Sequence, residues 1–287
     1  MDIRVGLSLM HSEDFRRATE SLFKSGAVEV LEWSFDTGWG GVLPPWTEAL
    51  ICEFSDQGRL LGHGVTFSVL SAQWTARQET WLGQLALETS RRQYRHVSEH
   101  FGFMAGGDFH QGAPLPVPLC EETLRVGREG LARLAAACHL PVGLENLAFA
   151  FGPRDVADQG RFIEQLLAPV DGFLLLDLHN IYCQACNFDV SGEKLIDSYP
   201  LDRVRELHVS GGSWSDVSAE LGGGRIRRDT HDGPLPRDVL PLVRHALANC
   251  PHVEAVIFER LGGTIVPQDD DALRTDFLRL REEVAAA

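Results

Sequence analysis

Two short stretches, Pro141-Val-Gly-Leu-Glu-Asn-Leu147 and Gly172-Phe-Leu-Leu-Leu-Asp-Leu178, carry the pattern that decides the fold. Each is a brief apolar run with a carboxylate close to its end, Glu145 in the first and Asp177 in the second. Between them, Asp155–Leu167 has the apolar spacing of an amphipathic helix. The segment therefore predicts a strand, a helix and a second strand in succession.

The same alternation extends over the rest of the chain. Strands are predicted at Ile3–Leu9, Val28–Trp33, Leu60–Val69, Tyr94–Phe103, Pro141–Leu147, Gly172–Leu178, Val204–Val209 and Ala255–Glu259. Helices are predicted between Ser12 and Gly26 and at Thr47–Gln57, Thr75–Gln93, Glu121–Cys138, Asp155–Leu167, Glu193–Ser198, Arg237–Ala248 and Asp271–Val284. Eight such units in succession predict an α/β fold, a (β/α)₈ TIM barrel with parallel strands. No Pro- or Ser-rich linker divides the chain, so we expect a single domain over residues 1–287.

Composition excludes several classes of protein. The chain has 287 residues, of which 44% are hydrophobic and 23% charged, the balance of an ordinary globular protein. The net charge of −15 disfavours nucleic acid and membrane partners, because an acidic surface repels phosphates and anionic lipids. The six cysteines are scattered, and the N-terminus lacks the features of a secretory signal. We therefore expect a reduced, cytoplasmic protein.

Six consecutive predicted strands bring an imidazole or a carboxylate to, or close to, their carboxyl ends. These residues are His63, His100, Glu145, Asp177, His208 and Glu259, and the loop after the seventh strand adds Asp229 and His231. In a TIM barrel the carboxyl ends of all strands converge on one mouth, where active sites lie. An ionisable group beside apolar strand residues is costly unless it is paired. One such group is typical of a satisfied polar residue in the core, whereas six in register indicate metal binding.

The ligand types narrow the choice of metal. Imidazoles and carboxylates without thiolate suit iron, manganese or zinc. The number of groups exceeds the four ligands of one tetrahedral zinc ion. We therefore expect two or three ions with carboxylate bridges, bound through nitrogen and oxygen only. A CxxC pair, Cys183 and Cys186, offers the alternative of a thiolate site, but two buried thiols are the commoner outcome.

The ordered set of motifs resembles the multinuclear non-haem iron-dependent oxidative enzymes, the family of the methanobactin biosynthesis oxygenase and its relatives in peptide natural-product pathways. The segments that carry the resemblance are Gly62-His63-Gly64-Val65, Ser98-Glu99-His100, Leu144-Glu145-Asn146, Leu176-Asp177 with Asn180, Leu207-His208-Val209, Asp229-Thr230-His231-Asp232 and Phe258-Glu259-Arg260. The match runs over nearly the whole chain, and the family fold is a TIM barrel.

The resemblance implies a set of metal-binding residues, of which Glu145, Asp177, His208 and Glu259 are also expected to be catalytic. The full set is His63, His100, Glu145, Asp177, Asn180, His208, Asp229, His231 and Glu259. Asn180 enters only through the resemblance, because the residues alone favour His179 beside it. Glu99 stands where the family commonly has Asp, and we expect it to lie behind the metal ligands.

The activity that the resemblance implies is O₂-dependent oxidation of a residue in a ribosomally made precursor peptide. The expected target is Cys, with Asp and Asn as alternatives. A mixed Fe(II)/Fe(III) pair would share the work, and the centre would hold two or three iron ions. His63 and His100 would bind one ion, Asp177 and His208 the next, and Asn180, Asp229 and His231 the third, with Glu145 and Glu259 near or between ions. Many members of the family work with a separate protein that binds the leader peptide.

Two other functions stay open. A divalent-metal sugar isomerase or phosphoesterase on the same barrel would also place His, Asp and Glu at strand ends. A non-catalytic metal-binding or scaffold subunit is the third candidate. Metal content and O₂ dependence would separate these functions.

The loop Ser210–Gly233 exceeds the usual length of a connection between a strand and a helix. It carries Asp229 and His231 together with several glycines, so we predict a mobile lid that metal and substrate order. Arg225, Arg227 and Arg228 in this loop are expected to face the mouth and meet substrate carboxylates, with a solvated loop as the alternative.

Overall fold

Eight parallel strands close into one barrel in a computed structural model of the protein, which describes residues 3–106, 109–218, 220 and 223–287. The strands of the chain are β1 Arg4–Leu9, β2 Val30–Trp33, β3 Leu60–Gly64, β4 Tyr94–His100, β5 Phe103–Gly106, β6 Phe109–Leu115, β7 Val142–Glu145, β8 Phe173–Asp177, β9 Val204–Ser210, β10 Trp214–Asp216, β11 Arg225–Arg227 and β12 Ala255–Glu259. The barrel runs β1-β2-β3-β4-β7-β8-β9-β12, and β12 pairs with β1 to close it. This confirms the predicted TIM barrel.

The helices form the outer layer. They are α1 Glu13–Lys24, α2 Pro45–Asp56, α3 Ala76–Arg91, α4 Glu121–Cys138, α5 Pro153–Leu167, α6 Leu178–Phe188, α7 Gly192–Ile196, α8 Val239–Asn249 and α9 Asp270–Ala285. Capping hydrogen bonds and glycine conformation determine where some of these helices begin and end. Thr75 and Gln78 form a reciprocal capping box at the start of α3. Gly26, just beyond α1, has φ of +70°, a conformation that glycine adopts without strain. None of the helices in the described ranges is long and apolar enough to cross a bilayer.

Strand alternation explains why polar groups lie inside the barrel. In β12, Val256 and Phe258 belong to the large apolar core between barrel and helices. Ala255 and Ile257 instead belong to a small buried cluster with Val30 and Leu61. Since successive side chains point to opposite faces, Glu259 shares the inner face with Ala255 and Ile257. A polar side chain on this inner face, at the carboxyl end of a strand, therefore lies at the mouth of the barrel.

Two predicted strands are too long. The third ends at Gly64 rather than Val69 because the next backbone N–H groups leave the ladder. Val65 and Thr66 donate instead to the buried carboxylate of Asp36, at 3.1 and 2.7 Å. The fourth ends at His100 rather than Phe103, and an antiparallel hairpin of β5 and β6 follows it.

Helix α6 has no counterpart among the predicted helices, which place only a weak helix further on, where α7 lies. It begins directly after β8, because Asp177 ends the strand and also caps the helix by accepting a hydrogen bond from the backbone N–H of Asn180. This short connection holds Asp177 and Asn180 side by side at the mouth.

Candidate metal centre

The side chains at the strand ends converge on one another inside the mouth. Nε2 of His63 and Nε2 of His100 each lie 3.4 Å from Oε2 of Glu145, and 3.5 Å from each other. Strands β3, β4 and β7 are neighbours in the barrel, so their ends present these three side chains to one point. The structure thus brings together the three side chains that the sequence predicts around one ion, and their binding of an ion stays a prediction.

The described residues contain four clusters in which one ligand atom from every member lies within 4.8 Å of the others; three lie at the mouth, and the fourth is Glu32, Glu206 and His208. The first cluster is His63, His100 and Glu145, the second is Glu145, Asp177 and His208, and the third is Asp177, His231 and Glu259. Glu145 and Asp177 are each shared by two clusters. Shared carboxylates are the groups that would bridge adjacent cations. Glu259 links the second and third clusters, since its Oε2 lies 3.3 Å from Nδ1 of His208 and 3.7 Å from Nε2 of His231.

Several donor atoms of these residues are buried and make no hydrogen bond within the described part of the chain. They are Oδ2 of Asp177, Oδ1 of Asn180, Nδ1 of His208, Nε2 of His231 and Oε2 of Glu259. The atoms of His208, His231 and Glu259 have ion-pair neighbours at 2.9–3.7 Å, so the cost of a buried polar atom without a partner, about 1–3 kcal/mol, falls on Asp177 and Asn180. Imidazole nitrogens with carboxylate and amide oxygens form the donor set that iron, manganese and zinc accept. The residues therefore fit a centre of such ions, and no thiol belongs to the clusters.

Hydrogen bonds fix the orientation of His63. Its Nδ1 lies 2.8 Å from the hydroxyl of Ser98, and that hydroxyl also donates to the carbonyl of Gly62 at 3.3 Å. A serine has a single hydroxyl proton, so Ser98 accepts from Nδ1–H of His63. The lone pair of Nε2 then points into the first cluster, as a metal ligand requires.

Burial and neighbouring charges divide the site into two kinds of group. Burial lowers the pKa of His63 and of His100 to about 4, so both imidazoles are neutral at neutral pH. Burial also raises the pKa of Glu145 and of Asp177 well above the usual value. Burial thus favours the uncharged form of all four groups when no cation is near.

The remaining groups hold charge. Burial alone would raise the pKa of Glu259, but the imidazoles of His208 and His231 keep it at about 2. Burial alone would lower the pKa of His208 and of His231, yet the nearby carboxylates raise both well above the usual value. Two imidazolium ions therefore balance the carboxylates, and cations would take the place of their protons.

Asp229 lies beside the third cluster without belonging to it. Its Oδ1 is 2.9 Å from Nε2 of His231 and 2.7 Å from Nδ1 of His179. Arg227 donates to Nε2 of His179 at 3.0 Å, so the proton of this neutral imidazole lies on Nδ1 and is donated to Asp229. Nδ1 of His179 thus orients Asp229, and Nε2 is occupied by Arg227.

Asn180 differs from His179 because one of its side-chain atoms makes no hydrogen bond among the described residues. Its amide nitrogen donates to the carbonyl of Asn146 at 2.9 Å and to Glu145 at 3.3 Å, while its buried oxygen has no partner. Of the two neighbours, the geometry favours Asn180 as a ligand. Glu99 lies behind His100 and accepts from the backbone N–H of Phe67 and of His100, at 3.3 and 3.2 Å.

The three arginines of the long loop do not act as one patch, so the prediction that all of them face the mouth is wrong. The loop folds into a hairpin of β10 and β11, and Arg227 at its end is buried against His179 and helix α6. Arg225 is exposed and pairs with Asp216 at 3.6 Å, and Arg228 is exposed beside Ser215. Of the glycine run in this loop, Gly222 lies outside the described residues. Mobility of the loop stays a prediction.

A cavity of about 400 Å³ opens directly onto the clusters. His63, His100, His231 and Glu259 form part of its lining. The end of β1 and the loops that follow β1, β2, β3 and β12 supply most of the remaining wall, with small hydroxyl and apolar side chains and the imidazole of His11. A substrate group in this cavity would lie against the first and third clusters.

Sequence reasoning did not identify three buried residues behind the ligands. Oε2 of Glu32 lies 2.9 Å from Nε2 of His208, and Oε2 of Glu206 lies 2.7 Å from Nε2 of His96. Two features of the sequence could have indicated the carboxylates. Glu32 is a lone carboxylate within an apolar strand, Val30-Leu31-Glu32-Trp33, and Glu206 stands two residues before His208, on the same face of β9.

One protein family and several individual proteins match this sequence. The family described as RiPP precursor modification enzyme MbnB/TglH/ChrH matches residues 42–272. A UPF0276 protein of Caulobacter vibrioides is 29% identical over 255 residues, covering 88% of this chain and 85% of its own length. A UPF0276 protein of Acinetobacter baylyi is 25% identical and covers 74% of this chain and 70% of its own length.

Solved structures share the fold at low sequence identity. The IOLI protein with a bound zinc atom has a TM-score of 0.60 at 10% identity, covering 99% of this chain and 98% of that one. Endonuclease IV from Thermus thermophilus has a TM-score of 0.56 at 15% identity, covering 98% and 99%. Similarity at this level establishes the barrel alone.

Proposed function

The chain belongs to the MbnB/TglH/ChrH family of enzymes that modify the precursors of ribosomally synthesised and post-translationally modified peptides (RiPPs), and from this we propose that it is a cytoplasmic, iron-dependent oxidoreductase. It uses O₂ to modify one residue of a precursor peptide. Cys is the first expected target, and Asp and Asn are the alternatives.

The observation that carries this proposal is the set of buried, unpartnered nitrogen and oxygen donors in three clusters that share carboxylates. Six barrel strands deliver these groups to one mouth, beside a cavity that admits a ligand. Because adjacent clusters share Glu145 and Asp177, they fit one centre of two or three ions better than they fit separate single-ion sites.

We assign the metal ligands as predicted from the sequence. They are His63, His100, Glu145, Asp177, Asn180, His208, Asp229, His231 and Glu259. Bound iron supplies one-electron redox chemistry toward O₂ and a site for a substrate heteroatom. The protein's own residues orient the ligands and surround the cavity. Ser98 directs His63, His179 directs Asp229, and the loops form the wall of the cavity beside the clusters.

The test is metal analysis and oxygen consumption on the purified protein. We expect two or three iron ions per chain after anaerobic loading with Fe(II). With a short Cys-containing peptide encoded by a neighbouring gene, we expect O₂ uptake and a mass change in that peptide. Family members often require a separate leader-binding protein, so the assay includes any such neighbour as a second arm.

The Glu145→Gln variant serves as the control for the metal centre, because it removes the charge of a carboxylate that two clusters share. It should lose both iron and O₂ uptake. A protein that binds only manganese or zinc and converts sugars without O₂ would instead support the sugar isomerase alternative and contradict the proposal.

A further inference from the structure

Below the metal centre, imidazoles and carboxylates alternate in a buried chain, His96–Glu206–His208–Glu32. All four side chains are almost completely shielded from solvent, with relative exposures of 0–2%. Glu206 and His208 are two residues apart on β9, so Glu206 lies on the inner face one layer deeper than His208. The chain therefore extends from a metal ligand into the barrel interior.

The two ring nitrogens of His208 face different groups. Nε2 lies 2.9 Å from Oε2 of Glu32 and 3.7 Å from Oε1 of Glu206. Nδ1 makes no hydrogen bond in the described chain and lies 3.3 Å from Oε2 of Glu259, at the second and third clusters. A proton held on Nε2 by Glu32 leaves the lone pair on Nδ1 for a cation.

One oxygen of each deep carboxylate has an imidazole at hydrogen-bond distance. Oε2 of Glu32 has His208 at 2.9 Å, and Oε2 of Glu206 has His96 at 2.7 Å. The two Oε1 atoms make no hydrogen bond among the described residues, and Glu32, Glu206 and His208 lie close enough together to form a fourth ligand cluster. The arrangement is that of a carboxylate orienting a histidine that binds metal through its other nitrogen.

We propose that Glu32 is a positioning residue, which fixes His208 with Nε2 protonated and Nδ1 presented to the metal, while Glu206, held by His96, stops the ring from turning. This inference rests on the proposed metal centre, but it concerns a strand, β2, that supplies no ligand. It predicts that one ion of the centre depends on a residue outside the ligand set.

The test uses Zn²⁺, a diamagnetic probe, and protein labelled with ¹⁵N-histidine. In the wild type we expect NMR to report His208 with Nδ1 bound to metal and Nε2 protonated. Glu32→Leu removes the acceptor and should weaken one zinc site by about 10–100-fold, with loss of the protonated Nε2 signal. Glu32→Gln keeps an oxygen acceptor and should restore the tautomer in part.

Glu88→Gln is the matched control, since Glu88 is a buried carboxylate that pairs with Arg92 and Tyr94 on the outer layer. It should bind zinc as the wild type does even where it lowers stability. Metal on Nε2 of His208 in the wild type would overturn the inference without any variant, as would equal zinc affinity in folded Glu32→Leu. An additional zinc ion held by Glu32 and Glu206 would also overturn it. A wild type that binds no ion would contradict the proposed function itself.

Discussion

In the proposed metal centre, Glu145 is the residue whose loss should have the largest effect. Its carboxylate is shared by the first and second clusters, whereas Asn180 is a neutral amide that donates to it. A carboxylate that bridges two cations contributes to both sites, and an amide oxygen serves one. Substitution of a residue that two clusters share should therefore remove more bound metal than substitution of a residue that serves one ion.

Glu145→Ala should lose more bound metal than Asn180→Ala. The loss in Glu259→Ala should be similar to that in Glu145→Ala, because Glu259 contacts both His208 and His231. The measurement is metal per chain by elemental analysis of the three purified variants. Equal losses in all three would contradict bridging by the carboxylates.

The protons of the site give a second prediction at this scale. Without metal, burial raises the pKa of Glu145 and of Asp177, and nearby carboxylates raise the pKa of His208 and of His231, so these groups keep a proton to a higher pH than ordinary carboxyls and imidazoles do. Metal competes with these protons, so metal affinity should rise as the pH rises. The pKa of His63 and of His100, about 4, adds competition only in more acidic solution.

Isothermal titration with Zn²⁺ in buffers of different ionisation enthalpy measures the number of protons released. We expect more than one proton per chain. An apparent enthalpy that does not depend on the buffer, together with a constant affinity, would show that the site is already deprotonated.

Among the elements, the β10–β11 hairpin differs most from its sequence-based description. Arg225 and Arg227 lie on the same strand near Trp214, but only Arg227 reaches the barrel, where it donates to His179 and packs over Tyr182. The hairpin is thus attached to the metal centre through Arg227, His179 and Asp229.

Arg227→Gln should lower the free energy of unfolding by about 1–3 kcal/mol, because buried hydrogen-bond partners lose their donor. Arg225→Gln is the control, and its exposed pair with Asp216 contributes about 0–1 kcal/mol. Urea unfolding followed by circular dichroism compares the two variants. Similar effects from both would mean that the hairpin is attached at the surface alone.

For the whole molecule, the barrel and the metal centre make separate contributions to stability. The apolar core between barrel and helices is extensive, so we expect the metal-free protein to fold. Cations that bind only the folded state add stability by mass action, about 2.7 kcal/mol for one site at 100-fold excess over Kd.

Adding Fe(II) anaerobically, or Zn²⁺, should therefore raise the Tm, and a chelator should reverse the rise. Glu145→Gln should show a smaller rise than the wild type because two clusters lose a charged ligand. Scanning calorimetry measures both effects. A Tm that metal leaves unchanged would argue against binding at the buried clusters.

The sequence by itself determined the barrel, and it predicted most of the side chains that the structure brings together at the mouth. Apolar runs such as 172–178 have a strand pattern that local propensity and periodicity make visible, and the position of a ligand at a strand end follows from parallel topology. His63, His100 and Glu145 could be placed together because their strands are neighbours in any eight-stranded barrel that follows chain order.

Only the tertiary structure decided which side chains stand behind these ligands. Glu32 and His208 are 176 positions apart, and their contact depends on the curvature of a closed barrel rather than on any local pattern. The burial of Arg227 but not Arg225 depends likewise on the docking of a hairpin against α6. Hydrogen-bond partners of a buried ring are set by the packing of distant strands, so a sequence predicts His208 as a candidate ligand but does not show which of its nitrogens faces the mouth.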